Sequence, residues 1–255
     1  MSQEILWEKR GHIRVLTFNR PDAMNAANVE MIKLHGQYFQ EFVDDNDAWV
    51  LIFTGTGRAF STGLDLKALK ELFTLDPRPK TLTSPDAPEL WKPTIAAING
   101  YAVGLGCELA LACDIRFAAE DARIGLPEVK RAMTPGAGGA QRLSRLAPLG
   151  DALLMLFTGD WIDAKEAYRI GLVQRVFPND KLLEESIKIA EKICENAPGA
   201  LRIDKEMVYK GLDVSLKEAL EQCHEYELLN RKLYSHDIEE GAKAFAEKRP
   251  PQFKG

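Results

Sequence analysis

The chain has few cysteines and histidines and no excess of positive charge, and each shortage argues against a class of function. Its four cysteines (Cys107, Cys113, Cys194, Cys223) show no CxxC spacing and cannot staple a disulfide scaffold. Its four histidines (His12, His35, His224, His236) are scattered, with no HExxH pair and no serine elbow nearby. No metal site is therefore expected. Gly104-Leu105-Gly106 lacks the third glycine of a dinucleotide fingerprint, Gly136-Ala137-Gly138-Gly139 lacks its spacing, and no GxxxxGK[ST] phosphate loop occurs. A formal charge of −5 gives no general attraction for nucleic acid or anionic lipid. No apolar run reaches the ~20 residues of a membrane span. The longest, over residues 105–113, is broken by Glu108. Residues 1–10 are polar, with no visible signal or transit segment, so a reducing cytoplasm is the expected location.

What is present describes a globular α/β protein. A length of 255 residues with 45% hydrophobic residues suffices for one large domain, or one domain with an appendage. Residues 12–18 alternate and are rich in β-formers, so a strand is expected. Residues 28–43 carry Val29, Ile32, Phe39 and Val43 at helical spacing. The continuous apolar run 49–54 predicts a strand buried on both faces, and 94–98 another. Residues 65–73 read as a short amphipathic helix. Four prolines within 74–88 demand an irregular loop. After the turn Asn99-Gly100 the pattern goes straight to a glutamate-bearing helix, then to short strands at 115–118 and 122–124. From about Gly138 helices dominate (149–157, 164–170, 180–196, 200–211, 215–234, 239–247), with only 172–177 reading as a strand. Strand pairs alternating with helices define an α/β core. The stripe Leu216, Leu220, Cys223, Leu228 must pack on that core or on another subunit.

Two glutamates stand out. Glu108 lies in the run Gly104-Leu105-Gly106-Cys107-Glu108-Leu109-Ala110-Leu111-Ala112-Cys113, which holds no other charge. Glu128 lies in Ile124-Gly125-Leu126-Pro127-Glu128-Val129. Carboxylates are rarely buried without a partner or a task. One reading is an acid/base pair tuned by burial and by mutual repulsion. The other is that each neutralises a buried arginine such as Arg116, Arg123 or Arg142.

Two glycine-bearing turns accompany them. Phe60-Ser61-Thr62-Gly63-Leu64-Asp65-Leu66 and Gly104-Leu105-Gly106 each open a helix, where free backbone N–H groups and the helix dipole favour negative charge. Two such donors aimed at one point make an oxyanion hole. The same glycines also fit turns that need them for backbone geometry alone. Leu105 and Glu108 are three residues apart, hence on one helix face. A carbonyl held at the Leu105 N–H would bring its neighbouring carbons near Glu108.

These segments resemble the enoyl-CoA hydratase/isomerase (crotonase) superfamily over nearly the whole chain. The resemblance is carried by Asn19-Arg20-Pro21 with Asn25-Ala26, the 60–66 turn, Lys92-Pro93-Thr94-Ile95-Ala96-Ala97-Ile98-Asn99-Gly100-Tyr101, residues 104–114 and Pro127-Glu128. Pro135-Gly136-Ala137-Gly138-Gly139, Thr158-Gly159-Asp160, Gly171-Leu172-Val173 and the closing residues 247–254 complete the series. It implies an α/β core of repeated strand–strand–helix turns over 1–196 and a C-terminal helical region, 197–255, that builds trimers, often paired into hexamers. It implies an acyl-CoA thioester substrate, with no separate cofactor, whose carbonyl sits between the N–H groups of Leu64 and Leu105. The CoA is expected along Met24, Arg58, Thr62, Leu66 and Lys67, with Lys248 reaching the nucleotide end from the same or a neighbouring subunit. Both carboxylates match the hydratase pattern: Glu108 would activate water and Glu128 would protonate the α-carbon. Leu64, Leu105 and the run Arg131-Ala132-Met133-Thr134 depart from the usual hydratase residues. A Δ3,Δ2-isomerase or a CoA-thioester hydrolase on the same scaffold is the nearest rival. The acidic balance and lack of a lysine-rich face argue against an RNA-binding role. The loop 74–88 and the apolar residues Leu69, Leu72, Phe73 and Trp161 are the expected acyl walls.

Overall fold

The computed structural model describes residues 3–84 and 89–255, so Pro85 and Pro88 of the proline-rich loop lie outside the described residues. The first half runs β1 (Ile5–Arg10), β2 (Ile13–Phe18), α1 (Val29–Asp44), β3 (Val50–Gly55), β4 (Ala59–Ser61), α2 (Leu69–Phe73), β5 (Thr94–Ile98) and β6 (Tyr101–Val103). It continues with α3 (Leu105–Ala112), β7 (Ile115–Ala119), β8 (Arg123–Gly125), α4 (Gly139–Leu146) and α5 (Leu149–Thr158). The rest comprises β9 (Ile162–Asp163), α6 (Ala164–Arg169), β10 (Arg175–Phe177), α7 (Leu182–Cys194), α8 (Pro198–Gly211), α9 (Leu216–Leu233) and α10 (Ser235–Glu247).

Two sheets emerge from one repeated unit. The larger has the order β1-β2-β3-β5-β7-β10, parallel throughout except for the antiparallel edge strand β1. The smaller has the order β4-β6-β8-β9, parallel except for β9. Each of β3–β4, β5–β6 and β7–β8 places its first strand in the large sheet and its second in the small one. A helical segment then returns the chain to begin the next turn. The expected strand–strand–helix repeat is therefore what the chain builds.

Packing follows from strand alternation. On β3, Val50 and Ile52 face a layer that includes α7 residues Leu182, Ile187 and Ala190. Leu51 and Phe53 face the other way, into the larger core with Met31, Phe42 and Phe60. The continuous apolar run at 49–54 is thus explained by burial on both faces. Between the two sheets the corners stack closely. A Cβ on Gly100 would lie 2.1 Å from Arg58 O, so only glycine lets these successive corners touch. Asn99 ties the same corners together, accepting from Gly55 N at 3.0 Å and donating to Gly57 O at 3.0 Å. Lys92 is buried with its ammonium on the carbonyls of Phe42, Val43 and Asp45, where it caps the C-terminus of α1.

Several sequence expectations need correction. Residues 1–10 read as a polar lead-in, yet Ile5–Arg10 is a strand, joined to β2 by the two-residue turn Gly11-His12. The second strand of each repeat, β4 and β6, has only three residues, too few for alternation to show. The helix expected at 65–73 is split into a 3₁₀ turn, Leu66–Ala68, and α2. The strand expected at 172–177 shrinks to Arg175–Phe177, and β9 adds a second strand to the helical half.

The C-terminal helices join the body through polar contacts of α8 and through Phe253, which packs on the core beside α7. Lys205 and Tyr209 of α8 reach Asp114 at 2.8 and 2.9 Å. The tail folds back on α10, with Arg249 on Glu240 and the N–H groups of Lys254 and Gly255 on buried Asp237. The stripe on α9 does not pack on the body: none of its residues is buried, and Leu216 and Leu220 are 75% and 61% exposed.

Candidate active site

The two glycine turns meet where the small sheet begins. Gly63, at φ 91°, follows β4, and Gly104, at φ 57°, follows β6. Since β4 and β6 are parallel neighbours, the two turns lie side by side. A Cβ on Gly63 would come within 3.0 Å of Leu105 N, which measures how closely the turns approach. The first turn is pinned against Ala27, whose N–H donates to Gly63 O at 2.7 Å and whose carbonyl accepts from Asp65 N at 2.9 Å. Among the described residues, neither the Leu64 nor the Leu105 N–H has an acceptor in the chain. Two unused donors on adjacent turns are what an oxyanion hole requires.

Both glutamates border this place. Glu108, on α3, is 3% exposed, and its Oε1 accepts from Ala137 N at 2.7 Å and Gly139 N at 2.9 Å. Gly139 opens α4, so the helix dipole adds to the two donors in favouring the anion. Gly138, at φ 88°, aims the turn, and Arg142 holds it from behind through Ala137 O at 2.6 Å. Glu128 stands in the 3₁₀ turn Pro127–Arg131; a Cβ on Gly104 would lie 3.5 Å from its Oε1. Its Oε2 is enclosed without a hydrogen-bond partner.

Electrostatics separates the pair. Burial raises both carboxyls above the ordinary range. For Glu108 the Gly139 and Ala137 N–H groups, and then the charge of Arg142, pull back toward the anion. For Glu128 only its own N–H and Arg131 do so, and the charge of Glu108 pushes it further up. The arginine-neutralisation reading holds only in part: Arg116 donates to Leu172 O and Cys113 O, Arg123 to Asp121 O and Ala122 O, and Arg142 to Ala137 O, but the Arg142 charge still favours the Glu108 anion. Neither glutamate forms an ion pair among the described residues.

A stability consequence follows. A carboxyl raised in the folded state holds its proton to higher pH than in the unfolded chain. The stability it contributes is complete below the unfolded value, ~4.3, and is lost as pH rises through the folded one. Glu128→Gln should therefore melt above the wild type near neutral pH, with the gap closing below about pH 4. Coincident melting curves across that range, by calorimetry, would show that Glu128 is not a strained anion.

The other expected binding residues divide into two groups. Arg58 Nε lies 3.0 Å from Met24 Sδ, and Thr62 donates from both N–H and Oγ1 to Met24 O at 3.2 Å. Leu66 and Lys67 follow on the exposed 3₁₀ turn capped by Asp65. These five thus flank the Leu64 turn. Lys248 is at the end of α10, capping it at φ 54°, and no hydrogen bond or ion pair among the described residues joins it to the five.

Beneath Leu105 lies a cavity of about 40 Å³. Its walls include Leu105, Gly106 and Leu109 of α3, Phe18, Met31, Ile32 and His35 along β2 and α1, Thr81 and Thr83 from the loop, and Ser61, whose hydroxyl already donates to Asn25 O. The loop reaches there because a Cβ on Gly36 would meet Pro79 at 2.4 Å, so Gly36 lets it lie flat on α1. The expected walls Leu69, Leu72, Phe73 and Trp161 do not line this cavity; Phe73 and Trp161 are largely exposed. Sequence reasoning missed the Ala137 and Gly139 donors, although the glycine run there was their signal. It also missed His35, which spacing alone marks only as one more residue on α1.

This constellation on a two-sheet spiral defines a CoA-thioester enzyme class, and the chain belongs to the enoyl-CoA hydratase/isomerase family, which matches residues 8–255. It is 39% identical over 250 residues to a short-chain-enoyl-CoA hydratase of Clostridium acetobutylicum, covering 96% of this chain and 95% of that one. It is 38% identical over 260 residues to the 2,3-dehydroadipyl-CoA hydratase of Escherichia coli, covering 99% of each. The crystal structure of an enoyl-CoA hydratase from Mycobacterium tuberculosis superposes with a TM-score of 0.90 at 35% identity, covering 98% of each chain.

Proposed function

We propose that this chain is a 2-enoyl-CoA hydratase, adding water reversibly across the α,β double bond of an acyl-CoA without metal or redox cofactor. The observation that carries this reading is the pair of unequal carboxyls beside two unused N–H donors. The thioester oxygen accepts from Leu64 and Leu105, which draws electrons from the β-carbon and stabilises the enolate-like charge that develops. Glu108, whose anion has two backbone donors, holds a water and takes its proton as the oxygen bonds to the β-carbon. Glu128, whose enclosed Oε2 favours the protonated form, delivers a proton to the α-carbon. Exchange with solvent then resets both carboxyls. Arg58, with Met24, Thr62, Leu66 and Lys67, lies along the CoA, and Lys248 reaches its phosphates from a neighbouring subunit. The named hydratases at 38–39% identity over nearly full length support the same reading.

The decisive test is turnover of a panel of 2-enoyl-CoA thioesters of differing length, followed by loss of the conjugated chromophore. Hydration of at least one is expected. Shift of a 3-enoyl-CoA to the 2-isomer in preference, or free CoA release, would replace the reading.

Oligomers belong to the same proposal. Leu212, Leu216, Leu220 and Phe245 are 61–88% exposed, more apolar surface than an isolated subunit carries comfortably. Sedimentation should show a trimer or hexamer. A stable, active monomer would overturn it.

A further inference from the structure

The cavity under Leu105 contains polar groups that the hydration chemistry does not use. His35 is 6% exposed, and its Nε2 is enclosed without any hydrogen-bond partner. Its ring stands edge-on to Phe18 and Phe53, with centroids at 5.8 and 5.7 Å. Across the same cavity Thr81 and Thr83 are buried, their hydroxyls 3.1 Å apart. Purely apolar walls would suit an ordinary alkyl tail; these do not.

We propose that His35, with Thr81 and Thr83, reads a neutral polar group at the end of a short enoyl chain, so that a tail ending in a hydroxyl is preferred to one ending in a methyl. The inference rests on the hydratase reading and names its substrate class. Three observations set the class. The cavity shares Leu105 with the proposed oxyanion hole, so a group in it lies on the acyl side of the thioester. About 40 Å³ is room for a terminal group of a few heavy atoms and not for a long chain end. Among the described residues no lysine or arginine lines it, and burial pushes His35 down to about 4, so a neutral imidazole faces the ligand. An ionised carboxylate would enter unpaired and pay for desolvation. A hydroxyl can both donate and accept, matching imidazole and threonine together.

The test compares isosteric thioesters: 4-hydroxybut-2-enoyl-CoA against pent-2-enoyl-CoA, and 5-hydroxypent-2-enoyl-CoA against hex-2-enoyl-CoA. In one pair the wild type should favour the hydroxyl member in kcat/KM by about tenfold or more. His35→Leu should reverse that ratio, and His35→Gln should restore part of it. Thr83→Val keeps the shape, should lower the ratio, and decides the matter if His35→Leu does not fold. Preference for the methyl member in both pairs, or ratios unchanged by His35→Leu and Thr83→Val, means that the cavity holds resident water only and overturns the inference while leaving the hydratase standing. No hydration of any of the four removes both.

Discussion

Glu108→Gln and Glu128→Gln should each lower hydration of a 2-enoyl-CoA by about 10²–10⁴ while leaving the fold intact. An amide keeps the shape of a carboxyl but moves no proton. In Glu108→Gln the amide oxygen can still accept from the Ala137 and Gly139 N–H groups, since both bonds converge on one atom of Glu108. Affinity for a saturated acyl-CoA should hardly change in either variant, which separates lost chemistry from lost binding. Wild-type turnover in either variant would sink the acid/base assignment. Inactivity of the Glu128 variant alone, with a 3-enoyl-CoA as preferred substrate, would point to an isomerase that shuttles one proton.

Gly106→Ala should be more damaging than Leu105→Gly, although the latter removes a far larger side chain. A Cβ on Gly106 would lie 2.2 Å from Ser61 O and 2.8 Å from Ser61 C, so strand β4 must move. Ser61 precedes Leu64 by three residues, so that movement displaces both proposed donors at once. Overpacking of this kind costs about 1–3 kcal/mol, or several degrees in Tm, and activity should fall steeply with it. Leu105→Gly keeps its N–H and should retain appreciable turnover, with wider acyl tolerance because Leu105 walls the cavity. Full activity in Gly106→Ala beside a folded but dead Leu105→Gly would show that the thioester carbonyl is held elsewhere.

The parts of this molecule that are legible in the sequence are those where one physical rule dominates. The runs at 49–54 and 94–98 could only be strands with both faces covered, and β3 and β5 are that. An isolated glutamate in an apolar helix announces itself, and Glu108 is buried. What stays hidden depends on neighbours distant in sequence. Three-residue strands such as β4 and β6 exist because parallel partners hold them, not because of local preference. The donors on Glu108 come from Ala137 and Gly139, 29 and 31 residues away. His35 looks like any polar residue on an amphipathic helix until Phe18, Phe53 and the loop close around it. The stripe on α9 is legible as apolar, but one chain leaves it uncovered.

The adjacency of β4 and β6 has one more consequence. The two proposed donors emerge from the ends of neighbouring parallel strands, whose spacing is about 4.8 Å wherever such strands pair. The gauge between the N–H groups is thus a rung of the backbone ladder, kept by the small residues Gly63 and Gly106 where the turns close together, and owes little to the larger side chains that wall the cavity. Walls such as His35, Thr81 and Leu109 can then be exchanged without retuning the grip on the carbonyl. A scaffold of this kind separates the tool that activates the substrate from the glove that selects it, so new acyl groups are reached by refitting the glove alone.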